Sequence, residues 1–246
     1  MLSSIARIAV ALLAFGWLGA AQGQAAAQTP PSNSDGIDQA VQDQLLQEAV
    51  DQIKAGSFAD AINGPLAQII HTYETAYGHS KKRIYCAEST TEVMLYLATA
   101  AQNHQEAQVL AKPTWALAYY VRGYAYGSLG RTADAEASLK QALQLSPSNS
   151  QFLSELGNAY EHEKDWPQAL KTFQDADTAA SVAARNEIKV PLRCRALRGQ
   201  GYVYVELHQL DDATKAYQQC LAIQPGDPAS LRELGYVQGL RDKGAK

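Results

Sequence analysis

One ordered set of residue types comes round three times between Ala116 and Pro225, and it restricts the fold more than any other feature. In the first round Tyr119 is followed by Gly123, Tyr126, Ala135, Leu139, Ala142 and Pro147. In the second, Leu153 leads to Leu156, Gly157, Tyr160, Ala169, Phe173 and Ala176. In the third, Leu197 leads to Gly201, Tyr204, Ala213, Tyr217, Cys220 and Pro225. The glycines at 123, 157 and 201 lie 34 and 44 residues apart, and a fourth start (Leu231, Leu234, Gly235) follows after another 34. Each round holds two apolar stripes at helical spacing, split by turn residues at Gly130-Arg131, Lys164-Asp165 and His208-Gln209.

Glycine in a helix interior costs about 1 kcal/mol relative to alanine. Its return at one position per round makes sense if the missing side chain lets the paired helix approach closely. Ala135, Ala169 and Ala213 are then the small residues of the second helix, and Tyr126, Tyr160 and Tyr204 fill the remaining volume. Pro147 and Pro225 close second helices, and Pro167 suits the first turn of one. Each helix pair leaves an apolar face that only the next pair covers, so the product is a stack. The ten extra residues between the second and third rounds predict a lengthened second helix, a loop at Arg185-Asn186-Glu187, and a new helix starting at Pro191.

A 34-residue period with these residue types in this order resembles the tetratricopeptide repeat. The resemblance implies an all-α fold: a right-handed α-solenoid of antiparallel helix pairs over residues 113–246, ended by a capping helix from Pro228 to about Arg241. Arg232, Arg241 and Lys243 would form the solvated side of that cap. It also implies that the first helix of each pair lines a concave groove, with side chains three residues before and one after the glycine slot. Those residues are Tyr120 and Tyr124, Ser154 and Asn158, Arg198 and Tyr202, and Arg232 and Tyr236, with Arg195 one turn earlier. Tyrosine and arginine are enriched at interface hot spots. Some family members hold a peptide's terminal carboxylate through Lys, Asn and Arg here, and Asn158, Arg195 and Arg198 partly resemble that clamp. Two plainer readings stand beside this one. The tyrosines pack between adjacent first helices, and Glu155, Glu161, Glu206 and Glu233 neutralise the arginines.

Ahead of the repeats, Met1 to Ala27 reads as a secretory signal peptide, with one positive charge before an apolar run of about 13 residues (Ile8 to Ala20). The run is short for a membrane span; an uncleaved anchor is the alternative. Ala21-Gln22-Gly23 and Ala25-Ala26-Ala27 are both cleavage sites of the right type. Export would place the chain in a periplasm or outside the cell. Residues 28–36 read as a polar linker, and 37–112 as degenerate repeat-like helices. Gly64-Pro65 predicts a break in the second of these. Gly78 to Glu88 reads as a basic loop around Lys81, Lys82 and Arg83, Ser89 with Glu92 as a capping box, and Gln105 to Ala111 as a short second helical arm.

A net charge of −4 gives no electrostatic reason to expect nucleic acid as a partner. No two of the five histidines have the spacing of a helical metal site, and HExxH, GxSxG and a phosphate-binding glycine loop are absent. Glu161-His162-Glu163 reads as a solvated helix end. No catalytic, metal or cofactor residue is therefore assigned. Three cysteines leave at least one unpaired within the chain. Cys194 and Cys220 lie almost equally far from the turn at His208 and so face each other in an antiparallel pair. Helix axes about 8–10 Å apart, less two radii of about 2.3 Å, leave their Cα atoms about 3.5–5.5 Å apart, within disulfide range. Two buried free thiols are the alternative, with Cys86 free in either case. The sequence thus points to an exported, non-enzymatic adaptor whose groove binds an extended peptide or protein segment. Self-assembly, with a second copy of the chain as occupant, is the alternative.

Overall fold

The protein is described from a computed structural model over residues 36–182 and 186–244. The expected signal peptide, and all of the expected linker except Gly36, lie outside the described residues. Helix α1 (Gln39–Lys54) starts at Asp38, whose carboxylate accepts the backbone N–H groups of Ala40 and Val41. Helix α2 (Phe58–Ala61) runs through a π-helical turn (Ile62–Leu66) into α3 (Ala67–Tyr77). The expected break falls at Gly64, whose backbone leaves the helical region just before Pro65.

Residues 83–110 differ from the expected loop and short helical arm. Strand β1 (Arg83–Cys86), helix α4 (Thr90–Gln102) and strand β2 (Ala107–Leu110) form one strand–helix–strand unit. The strands pair in parallel, with Arg83 opposite Ala107 and Cys86 opposite Leu110. Parallel strands need a crossover, and α4 supplies it. The capping box opens α4: the Ser89 hydroxyl accepts the Glu92 N–H, and the Glu92 carboxylate accepts the N–H of Glu88. Tyr85 stacks on Tyr96 at 5.0 Å, which buries one side of the unit. Four contacts fix it to residues 144–149, where the first repeat ends. Arg83 donates to the Gln144 carbonyl and Ser146 to the Cys86 carbonyl, both at 2.8 Å. The Ser148 N–H donates to the Tyr96 hydroxyl, and Asn149 donates to Glu88.

From Thr114 the chain is a helical solenoid. First helices α5 (Thr114–Ser128), α7 (Ser150–Glu163) and α9 (Asn186–Glu206) alternate with second helices α6 (Thr132–Leu145), α8 (Trp166–Val182) and α10 (Leu210–Ile223). Helix α11 (Pro228–Gly244) ends the stack. The three turns fall where the sequence puts them, and Lys164 and His208 take the left-handed conformation there. The ten extra residues lengthen α8 and α9. Asn186 and Glu187 are already helical, and Pro191 sits in the second turn of α9 instead of starting it. So close to the helix start the proline removes only the bond to the Glu187 carbonyl.

The glycine slots receive the side chains that follow them in the repeat. A Cβ on Gly123 would meet Leu139 at 2.9 Å, one on Gly157 would meet the Phe173 ring at 2.8 Å, and one on Gly201 would meet the Tyr217 ring at 2.5 Å. Phe173 is held from both sides, because a Cβ on Gly199 of the next first helix would meet it at 2.5 Å. At the other end Tyr73, Tyr77, Trp115 and Tyr119 stack in one cluster, which joins α3 to α5. Cys194 and Cys220 form a disulfide between α9 and α10, with Cα atoms 4.7 Å apart, while Cys86 is a buried thiol.

Gly157→Leu should destabilise the chain by about 1–3 kcal/mol, because the Phe173 ring has nowhere to retreat. Thermal unfolding by circular dichroism checks this, and an unchanged midpoint would show that the slot is not filled by Phe173.

Candidate functional site: the first-helix face

Helices α5, α7, α9 and α11 lie side by side, so the residues around their glycine slots form one continuous face. The structure divides the expected groove residues into two groups. Toward the N-terminal end they are consumed in packing. Tyr120 is 2% exposed, stacks on Phe152 at 4.8 Å, and its hydroxyl accepts a hydrogen bond from Gln151 at 2.8 Å. Burial, then the charge of Glu155, pushes its phenol well above the usual range. Tyr124 is half-buried against the same core, and Ser154 is fully buried. Asn158 donates to Glu155 at 3.2 Å. Arg195 forms a largely buried ion pair with that same Glu155 across α7 and α9.

The expected carboxylate clamp is therefore not available to a peptide. Arg195 and Asn158 already share a carboxylate of the chain itself. Arg198 is likewise paired, with Asp227 at 3.1 and 3.2 Å. Asp227 caps α11 by accepting the Ser230 N–H at 2.8 Å. Burial would raise the Asp227 carboxyl, but that N–H and the Arg198 charge outweigh it and hold the group below its usual range. Arg198 thus anchors the start of the last helix. Arg241, expected on the solvated side of the cap, instead docks on the first turn of α10 through the Leu210 carbonyl, Asp211 and Thr214.

Toward the C-terminal end the face stays open. Tyr202 is 41% exposed and Tyr236 56%, and Arg232 is also exposed. Around these tyrosines stand three carboxylates from three helices: Glu161 of α7, Glu206 of α9 and Glu233 of α11. None of the three has an ion-pair partner among the described residues. Burial first, then the charge of Glu206, pushes the Glu161 carboxyl up to about 8, and its Oε1 is buried without a hydrogen bond. Glu161-His162-Glu163 is therefore only half of the solvated helix end the sequence suggests: Glu163 and His162 are exposed and Glu161 is not. For Glu233 the signal was present in the repeat itself. Glu233 stands two residues before Gly235, as Glu155 stands two before Gly157. Among the described residues no group of three or more His, Cys, Asp or Glu side chains is arranged to hold a metal ion.

A stack of antiparallel helix pairs with an open face of first-helix side chains is a repeat solenoid. Residues 120–185 and 199–227 each match a sequence model of the tetratricopeptide repeat. Human "Cell division cycle protein 16 homolog" is 28% identical over 166 residues, covering 67% of this chain and 25% of that protein. Bovine "Protein SGT1 homolog" is 37% identical over 73 residues, 30% of this chain and 22% of that protein. The chain thus spans about a quarter of the length of these relatives. Among solved structures, pilF of Pseudomonas aeruginosa superposes with a TM-score of 0.57 at 12% identity, over 83% of this chain and 70% of that one. A MamA structure gives 0.51 at 18% identity, over 83% and 86%. Both likenesses concern the solenoid fold.

Two raised carboxylates give stability a pH dependence of definite sign. Burial above all pushes Glu92 up to about 7, as it pushes Glu161 up to about 8, from an ordinary 4.5. The native state therefore binds more protons than the unfolded chain between about pH 4.5 and 8, and stability should fall as pH rises through that window. Glu92→Gln and Glu161→Gln should each flatten the decline of the melting midpoint between pH 5 and 8. A slope unchanged in both variants would contradict this assignment.

Proposed function

We propose that this chain is an exported adaptor without catalytic activity, which captures an extended segment of another protein on the first-helix face of its repeats. Protein–protein interaction is what tetratricopeptide repeats support, and this chain carries such repeats. The observation that carries the reading is the pair Tyr202 and Tyr236. Two large rings stand exposed on adjacent first helices, while the equivalent Tyr124 is half-buried against the core. Tyrosine offers contact area at low entropic cost and is enriched where interfaces concentrate their energy. Export rests on the charged, apolar and small-residue order of residues 1–27. The setting that fits an exported adaptor is the assembly or maintenance of the cell envelope.

A photo-crosslinking residue placed at Tyr202 in the producing cell tests this. It should yield adducts with a second protein, while the same residue at Thr214 on a second helix should yield none. Tyr202→Ser with Tyr236→Ser should remove the partner, as read by crosslinking at the neighbouring Arg232, and leave the melting midpoint unchanged. The mature chain should begin after Gly23 or Ala27. Adducts containing two copies of this chain would favour self-assembly, and adducts from Thr214 alone would place the interface elsewhere.

A further inference from the structure

In the second repeat, Glu155 of α7 receives Arg195 from the next first helix, with Asn158 on its other oxygen. Glu233 occupies the same place in the fourth repeat, two residues before Gly235 in Leu-Arg-Glu-Leu-Gly against Leu-Ser-Glu-Leu-Gly. Glu233 has no ion-pair partner among the described residues. Glu161 and Glu206 stand nearby on α7 and α9, likewise without an ion pair among the described residues. A fourth group points the same way. Tyr217 passes through the Gly201 slot, is 1% exposed, and has a hydroxyl with no hydrogen-bond partner within electrostatic reach of Glu161, Glu233 and Tyr202.

Accepting the first-helix face as the binding site, we propose that the part between α7, α9 and α11 recognises an extended segment carrying arginine or lysine side chains. One such cation takes toward Glu233 the place that Arg195 takes toward Glu155. Glu161 and Glu206 receive a second cation across α7 and α9. Tyr202 and Tyr236 flank the cationic side chains with their ring faces, the arrangement in which a guanidinium gains from an aromatic neighbour. The fit is one of charge: three carboxylates from three helices face one exposed arginine, Arg232, on this part of the face. The preference is the reverse of the carboxylate clamp the sequence suggested. It follows from the pairing of Arg195 and Arg198 within the chain.

Burial beside Glu206 leaves much of Glu161 protonated near neutral pH, so binding a cation there expels a proton. Affinity for a cationic segment therefore rises with pH up to about 8. Glu206, Glu233 and Tyr236 also face this cluster, and Arg198, within electrostatic reach of Tyr217, is paired with Asp227. Tyr202 and Tyr217 are pushed up by burial and the surrounding carboxylates and stay neutral over that range.

A display library of randomised extended octapeptides, selected against the full chain, tests the proposal. The selected pool should be enriched in Arg or Lys at two or more positions. A synthetic peptide from that pool should bind Glu233→Gln, Glu206→Gln or Glu161→Gln about tenfold or more weakly, since each charge-assisted contact contributes roughly 1.5–3 kcal/mol and 1.4 kcal/mol is tenfold. Arg232→Gln should not weaken it. Affinity should fall from pH 8.5 to 6, and Glu161→Gln should flatten that dependence. A pool enriched in Asp, Glu or terminal carboxylates would overturn the proposal, as would equal binding to the triple glutamine variant or no enrichment at all. The Tyr202→Ser, Tyr236→Ser variant separates the two levels. If it loses acidic peptides, the face is the site and only its charge preference is wrong. If selected peptides bind it unchanged, the face itself is not the site.

Discussion

Everything in the C-terminal half of this chain depends on a side chain of one helix filling the place where its partner helix has none. Leu139, Phe173 and Tyr217 enter the slots of Gly123, Gly157 and Gly201. Each contact sets the distance and rotation of one helix pair. Phe173 also presses on Gly199 of the next pair, so the same ring that closes a repeat seats the following one. Fully burying a ring of this size contributes roughly 1.5–3 kcal/mol, more than the roughly 1 kcal/mol that a helical glycine costs. The disulfide between Cys194 and Cys220 fixes the third pair a second time, two turns of α9 before Gly201.

Once the pairs are seated, their charges sort themselves by position. A first-helix side chain meets the preceding first helix on one edge and the following one on the other. Between α7 and α9 one such pair neutralises within the chain, Arg195 with Glu155. Arg198 meets the cap of the last helix in the same way. Where the described stack ends, at α11, the pattern leaves Glu233 without its cation and two tyrosines without a cover.

The repeat is why so much could be read from residues alone. Glycine and turn positions recur in phase, so Gly157 could be set against its paired second helix and Cys194 level with Cys220 about the turn at His208. The filling of the slot by the Phe173 ring, and not by Tyr160, appears only in three dimensions. The N-terminal segment offered no such phase. Ala107 to Leu110 becomes a strand because Arg83 to Cys86, more than twenty residues earlier, lies beside it. No local pattern of four residues carries that information. The binding face was half legible for a related reason. Helical spacing says which side chains share a face, but not which carboxylate of another element reaches them. Asp227 lies in the turn before α11, and its claim on Arg198 appears only in three dimensions. Glu155 and Glu233 stand at a common distance from their glycines, and that correspondence supports the proposed preference for cations.

The central claim is that Glu233 is the acid left without its repeat-to-repeat cation and that a partner supplies one. A double-mutant cycle measures this directly. Glu233→Gln is combined with replacement of one arginine of a bound peptide by citrulline, its neutral isostere. A contact between the two charges predicts a coupling of about 1.5 kcal/mol or more for at least one arginine of the peptide. Changes that simply add, to within about 0.5 kcal/mol at every arginine, would show that Glu233 does not meet the partner's charge.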